Sequence, residues 1–426
     1  MNSSHILGLN ARNYLYQSRY NRGKGKRIAD SKLLTKRLLQ RLKLPHPRLI
    51  AYFKTPSDAF AFDWDSLTDN FVIKPAGGYA GEGIMLVRKR LPTKFQLMDG
   101  STLNLRELKL HILDILEGRF DKYDLPGTAL IEERVVKHPR FKRYAYKGTP
   151  DVRVILFNKV PVMAMLRLPT PESRGRANLH QGAIGVGIDL ATGITTRGVR
   201  WDKTILNIPE TNLKLNGIDI PSWDRVLELA AEVAEHIDLG YFAVDFLLDP
   251  EKGPLIVELT ARPGLSIQLA NGAGLKRRLE RVEGLEIASG HGIEVAKALF
   301  AERFSDKVIA QHGVKVVGVF ETVNVRSGDN GKREILAKVD TGAFRTSIDS
   351  SLARELGLMK DRSVLWHDYY WSSLGRERRP VIPITFWLGG RKIETVANVA
   401  DRSKLKEKLL VGRRDLTTFL VRPGTT

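Results

Sequence analysis

The chain has 426 residues and a mass of 47.8 kDa, more than one hydrophobic core usually organises, so we expect two or three domains. Hydrophobic residues make up 42% and charged residues 27%, which excludes a disordered or fibrous chain, and the lack of cysteine excludes disulfides, thiolate metal sites and a cysteine nucleophile. The net charge is +20 and no run of about 18 apolar residues occurs, so we expect a cytoplasmic protein with a basic surface.

The positive charge is concentrated at the two ends of the chain. Residues 1–50 hold 12 Lys and Arg against one Asp, residues 51–311 hold 35 against 34 acidic residues, and residues 312–426 hold 21 against 13. The three net charges are therefore +11, +1 and +8. Basic ends attract nucleic acid, anionic lipid or an acidic polypeptide, and they are equally compatible with a solvated face that only maintains solubility.

The first elements follow from leucine spacing and from a glycine-rich segment. Leu34, Leu38 and Leu42 recur at fourfold spacing before Pro45, which predicts a helix beginning near residue 30. The segment PAGGYAGEG separates two short apolar runs, FVIK and IMLV, which predicts a hairpin with a glycine-rich tip.

Apolar periodicity and turn signals predict the elements up to residue 260. The pattern indicates a helix over residues 105–116 and strands over residues 129–136, 151–157, 161–167, 242–248 and 255–259. Between them, Val226, Leu229 and Val233 recur at helical spacing, with Ser222 as the predicted N-cap and Gly240 just past the end.

The pattern changes near residue 310. Short strands such as VKVVGVFETVNV, EILAKV, PVIPITFWL and KIETVANVA follow, with one short helical stretch, SSLARELGL. We therefore place a boundary at about residues 305–313 and predict a small all-β domain over residues 312–426.

A lysine and three glycines of the first hairpin suit a phosphate ligand. Lys74 ends a predicted strand, and Gly78, Gly81 and Gly83 follow in a loop whose amide N–H groups can approach phosphate oxygens. A glycine-rich hairpin is equally compatible with a plain turn, and the Walker spacing is missing because the lysine precedes the glycines.

Two carboxylates fall on neighbouring predicted strands further along the chain. Asp245 and Glu258, with the hydroxyl of Thr260, are oxygen ligands of the kind that Mg²⁺ prefers. The alternative is a structural ion pair with Arg262 at the end of a sheet, and for either acid alone that alternative is favoured.

Taken together, the motifs follow a recognisable order. The lysine before the glycine hairpin precedes an EE strand, D-x-R, R-x-N-L-H-x-G and D…E-L-T-A-R-P-G. This order resembles the ATP-grasp fold, specifically its glutamate-ligase branch. The segments LNARNYLYQSRYN, DSKLLTKRL and GRANLHQGAIGVGIDLATG are closest to the alpha-L-glutamate ligase-like (RimK-like) proteins, and the resemblance covers roughly residues 8–300.

The resemblance implies roles for individual residues and an α+β ATP-grasp ligase over residues 1–306 with a lid at roughly 70–136. For ATP, the resemblance places Lys74 and Lys32 on the phosphates, Glu133 and Arg134 on the linker that meets adenine, and Asp151 near the ribose. It places Arg176 and Asn178 on phosphate and metal, and Asp245 and Glu258 on magnesium. Arg153 or Arg262 would bind the carboxylate substrate. The family usually has Asn where this chain has Thr260, which leaves open whether one or two metal ions bind.

The implied reaction is ATP- and Mg²⁺-dependent formation of an amide bond, with Mn²⁺ as an alternative metal. A carboxylate is a poor acyl donor, whereas its acylphosphate carries a phosphate that leaves readily. The resemblance implies that an amino acid, with glutamate the first candidate, is joined to a peptide or protein acceptor. Lys74 and Arg176 would neutralise charge during phosphoryl transfer.

The last hundred residues carry a second resemblance. Asp340 begins D-T-G-A, and LLVGRRDL lies near the end of the chain, as in the retropepsin-like aspartic proteases. The segment is similar to the so-called ATP-dependent zinc proteases, although it has no H-E-x-x-H motif or cysteine ligand. Aspartic proteolysis needs two carboxylates, so activity through Asp340 implies a homodimer, and a barrel that only binds is equally compatible.

Two functional classes therefore remain. The first is a ligase with a C-terminal domain that cleaves related acidic peptides. The second is a protein that binds acidic polymers or acts mainly as a protease, and in which the ATP site is only regulatory.

Overall fold

The computed structural model describes residues 3–67, 69–77, 81–121, 125–300, 315–359, 363–372, 375–417 and 419–422. The chain divides into two compact units, Met1–Glu280 and Arg281–Thr426. Our boundary at residues 305–313 lies outside the described residues, so the domain limits stay a prediction. None of the described helices is long and apolar enough to cross a membrane.

The N-terminal unit contains both helices and strands. Its described α-helices are α1 (Leu9–Ala11), α2 (Ser18–Tyr20), α3 (Gly23–Ala29), α4 (Lys32–Arg41), α5 (Pro56–Ala61), α6 (Leu105–Leu116), α7 (Trp223–His236), α8 (Ile267–Asn271) and α9 (Leu275–Glu280). Its strands are β1 (Leu49–Phe53), β2 (Phe71–Pro75), β3 (Met85–Arg90), β4 (Phe95–Leu97), β5 (Thr102–Leu103), β6 (Ala129–Glu133), β7 (Asp151–Phe157), β8 (Val160–Leu168), β9 (Ile184–Ile188), β10 (Thr195–Arg200), β11 (Lys203–Ile205), β12 (Tyr241–Asp249) and β13 (Gly253–Thr260).

These strands form two antiparallel sheets. The first sheet has the order β1-β6-β2-β3-β4-β5, and the second has the order β11-β10-β9-β8-β7-β12-β13. Helix α6 covers the first sheet with Leu108, Ile112 and Ile115, which pack against Phe71 and Ile131. The central strands of the second sheet are almost wholly buried, as expected for strands covered on both faces.

Local signals explain the helix boundaries. The Ser31 side chain accepts from Leu34 N at the start of α4, and Asn104 forms a capping box with Glu107 at the start of α6. Ser222 lies at the predicted N-cap position of α7, and its carbonyl accepts from Val226 N. Its side chain makes no capping hydrogen bond, and its backbone is left-handed, with a φ of +54°.

The C-terminal unit is mainly β-structure. Its described elements are α10 (Gly292–Phe300), β14 (Lys315–Val317), β15 (Phe320–Arg326), β16 (Lys332–Asp340), β17 (Thr346–Asp349), α11 (Ser350–Glu355), β18 (Trp366–Ser372), β19 (Gly375–Leu388), β20 (Arg391–Ala400), β21 (Leu409–Gly412) and β22 (Phe419–Val421). The main sheet has the order β15-β16-β21-β17-β20-β19-β18, and β15 also pairs with β19. Six strands therefore close into a ring around an apolar interior that includes Val323, Val339, Ile384 and Leu409.

Candidate functional site

The glycine hairpin of the first sheet has the predicted form. Strand β2 pairs with β3, and Ile73 lies opposite Met85. Gly81 and Gly83 have φ values of +78° and +70°, which favour glycine. A Cβ atom on Gly83 would lie 2.7 Å from the Phe120 ring, so the close approach of the loop to Phe120, in the segment after α6, favours glycine there. The predicted Gly78 lies outside the described residues.

Lys74 forms part of a buried charge cluster with Glu132 and Lys36, which we call the lysine clamp. Lys74 bonds one carboxylate oxygen of Glu132 from the adjacent strand. Lys36 of α4 approaches the other oxygen to 2.6 Å and also donates to Pro47 O at 2.7 Å. Two ammonium groups therefore share one carboxylate at the base of the glycine hairpin.

The electrostatics of the lysine clamp leave an excess of positive charge. Burial opposes the charged form of Glu132, but Lys74 and Lys36 outweigh burial and bring the pKa of Glu132 below its usual range. Burial lowers the pKa of Lys36, and the attraction of Glu132 offsets this only in part. With all three groups charged, the clamp has a net charge of +1, which suits an anionic ligand.

The predicted adenine linker leaves one donor free. Glu133 accepts from Lys252 Nζ at 2.7 Å and from Arg48 N at 2.9 Å; burial opposes its charge, but these contacts lower its pKa. Arg134 is different, because its buried Nε has no acceptor within the described residues. Burial and the nearby Arg88 also lower the pKa of Arg134. A ligand that supplies an acceptor would satisfy Arg134.

A second buried charge cluster crosses the second sheet, and we call it the arginine–aspartate network. Arg153 donates to both oxygens of Asp245, at 2.7 and 2.6 Å. Arg167 donates to both oxygens of Asp151, at 2.5 and 2.7 Å, and to Asp245 at 2.8 Å. The four residues lie on β7, β8 and β12, and the network ties these three strands together.

The network is balanced in charge, and its two acids titrate in opposite directions. Burial, reinforced by Asp245 and opposed by Arg167, raises the pKa of Asp151 to about 6. Burial also opposes the charge of Asp245, but Arg153 and Arg167 outweigh it and lower the pKa of that carboxyl. Burial opposes the charge of Arg167, but Asp151 and Asp245 outweigh it and raise the pKa of that guanidinium.

In this arrangement two predicted site residues are engaged with each other. Asp245 was predicted as a magnesium ligand, but its two oxygens already accept three N–H bonds and its side chain is only 1% exposed. Arg153 was predicted to bind a carboxylate substrate, but both of its bonded nitrogens hold Asp245. In this structure the two oxygens of Asp245 and the Nε and Nη2 atoms of Arg153 are therefore engaged.

Glu258 is open to a ligand. It lies on the strand next to Asp245, as predicted, and the pairing of β12 with β13 places the two acids opposite each other. The Glu258 side chain is 42% exposed. Lys32, at the start of α4, approaches Glu258 to 3.5 Å. No cluster of three or more metal-ligating side chains occurs in the described part of the chain. The residues that would hold a Mg²⁺ ion here are Glu258 and Thr260, oxygen donors two residues apart on β13, and ligand oxygens would have to complete its shell.

Helix α4 links the parts of the site. Lys32 contacts Glu258 of the second sheet, and Lys36, one turn later, contacts Glu132 of the first. The Lys32 amide also donates to Ala76 O, two residues after Lys74. One helix face thus connects the glycine hairpin to the exposed acid.

Arg176 meets the glycine hairpin from the segment before β9. Its Nη1 donates to Glu82 Oε1 at 2.6 Å, and its Cδ lies 3.7 Å from a Cβ built on Gly81. Asn178 accepts from His180 N at 3.0 Å, which fixes the start of the next turn. Arg262 is exposed and donates to Asp30 at 3.0 Å.

A pocket of about 240 Å³ is lined in part by Leu179 and His180, the two residues that follow Asn178. His180, Arg200, Trp201, Asp202 and Ser266 contribute to its lining. Trp201 is 54% exposed, at a turn where its φ is +46°. Arg200 pairs with Glu172 outside the lining, yet its buried Nε has no acceptor among the residues that the structure describes. The pocket offers an aromatic wall, a free guanidinium donor and a carboxylate.

Sequence reasoning missed several of these residues. Lys36 is four residues after Lys32 on the same helix face, and this spacing could have identified it. Glu132 was seen only as part of the EE strand. Arg167 and Glu82 carry no local signal, because their partners are distant in the sequence.

Asp340 lies at the end of β16, beside Gly412 of β21. Its Oδ1 accepts from Gly342 N at 2.8 Å and from Ala343 N at 3.2 Å, and Lys338 lies 3.9 Å from its Oδ2. The loop after the strand therefore holds one carboxylate oxygen and leaves the other less constrained.

A family model for sugar-transfer associated ATP-grasp proteins matches residues 11–284. The chain belongs to this family. The match covers the lysine clamp, the arginine–aspartate network and Glu258, and it confirms the ATP-grasp assignment. No curated protein matches this ATP-grasp chain.

Several solved structures resemble parts of the ATP-grasp chain. The Legionella pneumophila protein Lpg0085, of unknown function, is 18% identical, with 26% of this chain and 95% of that chain covered and a TM-score of 0.19. ATP-grasp ligase PsnB with its minimal precursor is 15% identical, with 62% of each chain covered and a TM-score of 0.32. D-alanine–D-alanine ligase from Bacillus anthracis is 13% identical, with 65% and 71% covered and a TM-score of 0.35. These TM-scores lie below 0.5, so the family match carries the assignment.

Proposed function

We propose that the chain is an ATP- and Mg²⁺-dependent carboxylate–amine ligase. The observation that carries this proposal is the continuity of contacts from Glu258 through Lys32 to the loop after Lys74, and from Gly81 to Arg176. These residues are widely separated in the sequence, and folding brings them to one glycine hairpin. The proposal places the triphosphate of ATP along this line.

The side chains suit the charges that develop in the reaction. A substrate carboxylate oxygen attacks the γ-phosphorus, the bond to the ADP oxygen breaks, and an acylphosphate forms. An amine then attacks the acyl carbon, loses a proton, and the phosphate leaves with the electrons of the broken C–O bond. Lys74 and Arg176 would stabilise the transferring phosphoryl group by charge. When bound, Mg²⁺ supplies further neutralisation of the phosphates, with Glu258 and Thr260 as its protein ligands.

We assign the pocket after Asn178 to the substrate that carries the amine. Arg200 offers a free N–H donor for a carboxylate, and Asp202 offers an acceptor for an ammonium group. An amino acid carries both groups, and glutamate remains the first candidate. Trp201, on the pocket lining, is 54% exposed, which leaves room for a larger second substrate beside the amino acid. The acceptor class in this proposal is therefore a peptide or protein.

The direct experiment is incubation of the full chain with ATP, Mg²⁺, amino acids and a glutamate peptide, followed by phosphate release and mass analysis. The proposal predicts ADP, phosphate and a peptide heavier by one amino-acid residue. Glu258→Ala should abolish the product, whereas Glu251→Ala, an exposed acid in the turn before β13, should not. ATP hydrolysis without any mass gain would instead favour the regulatory ATP site.

A second activity is supported by the geometry at Asp340. One oxygen is held by two backbone N–H groups, and the other lies 3.9 Å from Lys338. We propose that any peptidase activity requires a homodimer, in which each protomer contributes Asp340. Asp340→Asn should abolish cleavage of acidic peptides and leave ligation unchanged. Cleavage by a demonstrated monomer would exclude this proposal.

A further inference from the structure

Three buried N–H groups of the C-terminal unit have no hydrogen-bond acceptor in the described residues. They are Arg345 Nε, Trp366 Nε1 and Arg414 Nη1, which we call the donor cluster. Buried donors are rarely left unpaired, because burial removes the water that would accept from them. Three in one small unit point to a ligand that supplies the acceptors.

Backbone hydrogen bonds and a contact between a guanidinium and a ring bring the residues of the donor cluster together. Arg414 follows β21, and the amides of Arg413 and Arg414 donate to Ala343 O and Phe344 O, at 2.8 and 3.2 Å. This contact sets Arg414 beside the segment that leads into Arg345. The guanidinium carbon of Arg345 lies 5.5 Å from the centre of the Trp366 ring.

The nearby carboxylates do not satisfy the cluster. Arg345 donates through Nη1 to Asp368 at 2.8 Å and to the Tyr370 hydroxyl at 3.1 Å, which leaves Nε free. Asp415 accepts from the hydroxyls of Thr346 and Thr395. Asp368 therefore accepts from a different nitrogen of Arg345, and Asp415 accepts from two threonine hydroxyls. Neither acid accepts from the three donors of the cluster.

The charge balance also favours an added anion. Burial raises the pKa of Asp415, which weakens its compensation of the arginines. Burial lowers the pKa of Arg414, as expected for a cation that is poorly solvated. The cluster is not sealed from solvent, because the Asp368 side chain at its edge is 33% exposed.

We propose that the donor cluster binds an oxyanion, either a carboxylate or a phosphate group, between Arg345, Arg414 and Trp366. A guanidinium presents its N–H groups in a planar fork that matches two oxygens of such an ion. The indole N–H supplies a further donor of fixed direction. This site lies within the C-terminal unit and does not depend on the proposed ligase reaction.

Nuclear magnetic resonance of the Trp366 indole N–H tests the proposal in the full chain. The chain has six tryptophans, and the indole signal that is missing from Trp366→Phe belongs to Trp366. Inorganic phosphate and acetate are titrated separately. We expect the Trp366 signal to move and saturate with at least one of them. A response only to phosphate identifies a phosphoryl ligand, and a response only to acetate identifies a carboxylate ligand.

Adjacent arginines provide matched variants. Arg414→Gln should weaken saturation of the Trp366 signal by about tenfold or more, whereas Arg413→Gln, which removes the same charge from an exposed neighbour, should change it by less than about twofold. Arg345→Lys keeps the charge and removes Nε–H, so it should also weaken binding if Arg414→Gln does not fold. No response to either ion, or equal weakening by Arg413→Gln, would overturn the proposal.

Discussion

The two buried charge clusters of the N-terminal unit differ in their balance. The lysine clamp sets two cations against one acid, whereas the arginine–aspartate network sets two against two. In the clamp the pKa of Glu132 is lowered, and in the network the pKa of Asp151 is raised to about 6. With all groups charged, the clamp therefore has a net positive charge, whereas the network is neutral.

This difference separates binding from structure. A buried network that satisfies its own charges mainly orders the strands that carry it. A cluster with excess positive charge beside a glycine loop is suited to an anionic ligand. We therefore expect changes in the clamp to affect ATP-dependent chemistry and changes in the network to affect stability.

Of the variants that test this difference, removal of Lys74 should have the largest effect, and the effect should be on activity. We expect Lys74→Ala to lower ATP-dependent phosphate release by about 100-fold or more, because it deletes a charge that stabilises phosphoryl transfer. Lys89→Ala, an exposed lysine on β3, is the matched control and should stay close to the parent rate. Undiminished turnover in folded Lys74→Ala would remove the clamp from the active site.

Removal of Asp245 should act on stability. Asp245→Asn leaves Arg153 and Arg167 with one fewer buried charge partner, and we expect a loss of about 3 kcal/mol in the free energy of unfolding. Asp30→Asn, which breaks the exposed pair with Arg262, should cost less than about 1 kcal/mol. Urea denaturation measures both. If Asp245→Asn kept its stability but lost activity, Asp245 would instead act as a metal ligand.

The pH dependence of stability should report on Asp151. Because its folded pKa is raised from 3.8 to about 6, the folded state binds this proton more tightly than the unfolded state does. Its contribution is therefore fully present below pH 3.8 and is lost as the pH rises through about 6. The unfolding free energy of the parent should fall by about 2 kcal/mol relative to Asp151→Asn between these limits. A constant difference between the two proteins would contradict the assignment.

The smallest expected effect concerns the basic N-terminal segment. Its net charge of +11 comes from side chains that lie mainly outside the clamp, so binding of an acidic peptide through it should be screened by salt. We expect the apparent dissociation constant to rise a few-fold between low and physiological ionic strength. A salt-independent constant would indicate that these residues only maintain solubility.

Features with strong local signals were predictable from the sequence. The helix over residues 105–116 and the hairpin after residue 71 are confirmed, because capping, periodicity and glycine signals lie within each segment. The placement of Asp245 and Glu258 on adjacent strands was also predictable, since a short turn joins β12 and β13. Their direct opposition was not, because it depends on a register shift between Asp245 and Phe246.

The partners of charged residues were less predictable. Asp245 and Glu258 look alike in the sequence, yet one is buried among arginines and the other is open. That difference depends on Arg167, which is 78 residues from Asp245. The donor cluster likewise depends on pairing among distant strands, and no local pattern marks it.

The central claim is that the site makes an amide through an acylphosphate. It is tested most directly with substrates whose carboxylates carry oxygen-18, using glutamate and a short glutamate peptide with ATP and Mg²⁺. The account predicts that each new amide is accompanied by one phosphate containing one labelled oxygen, because the carboxylate oxygen leaves with the phosphate. Amide formation with unlabelled phosphate, or phosphate release without any amide, would contradict it.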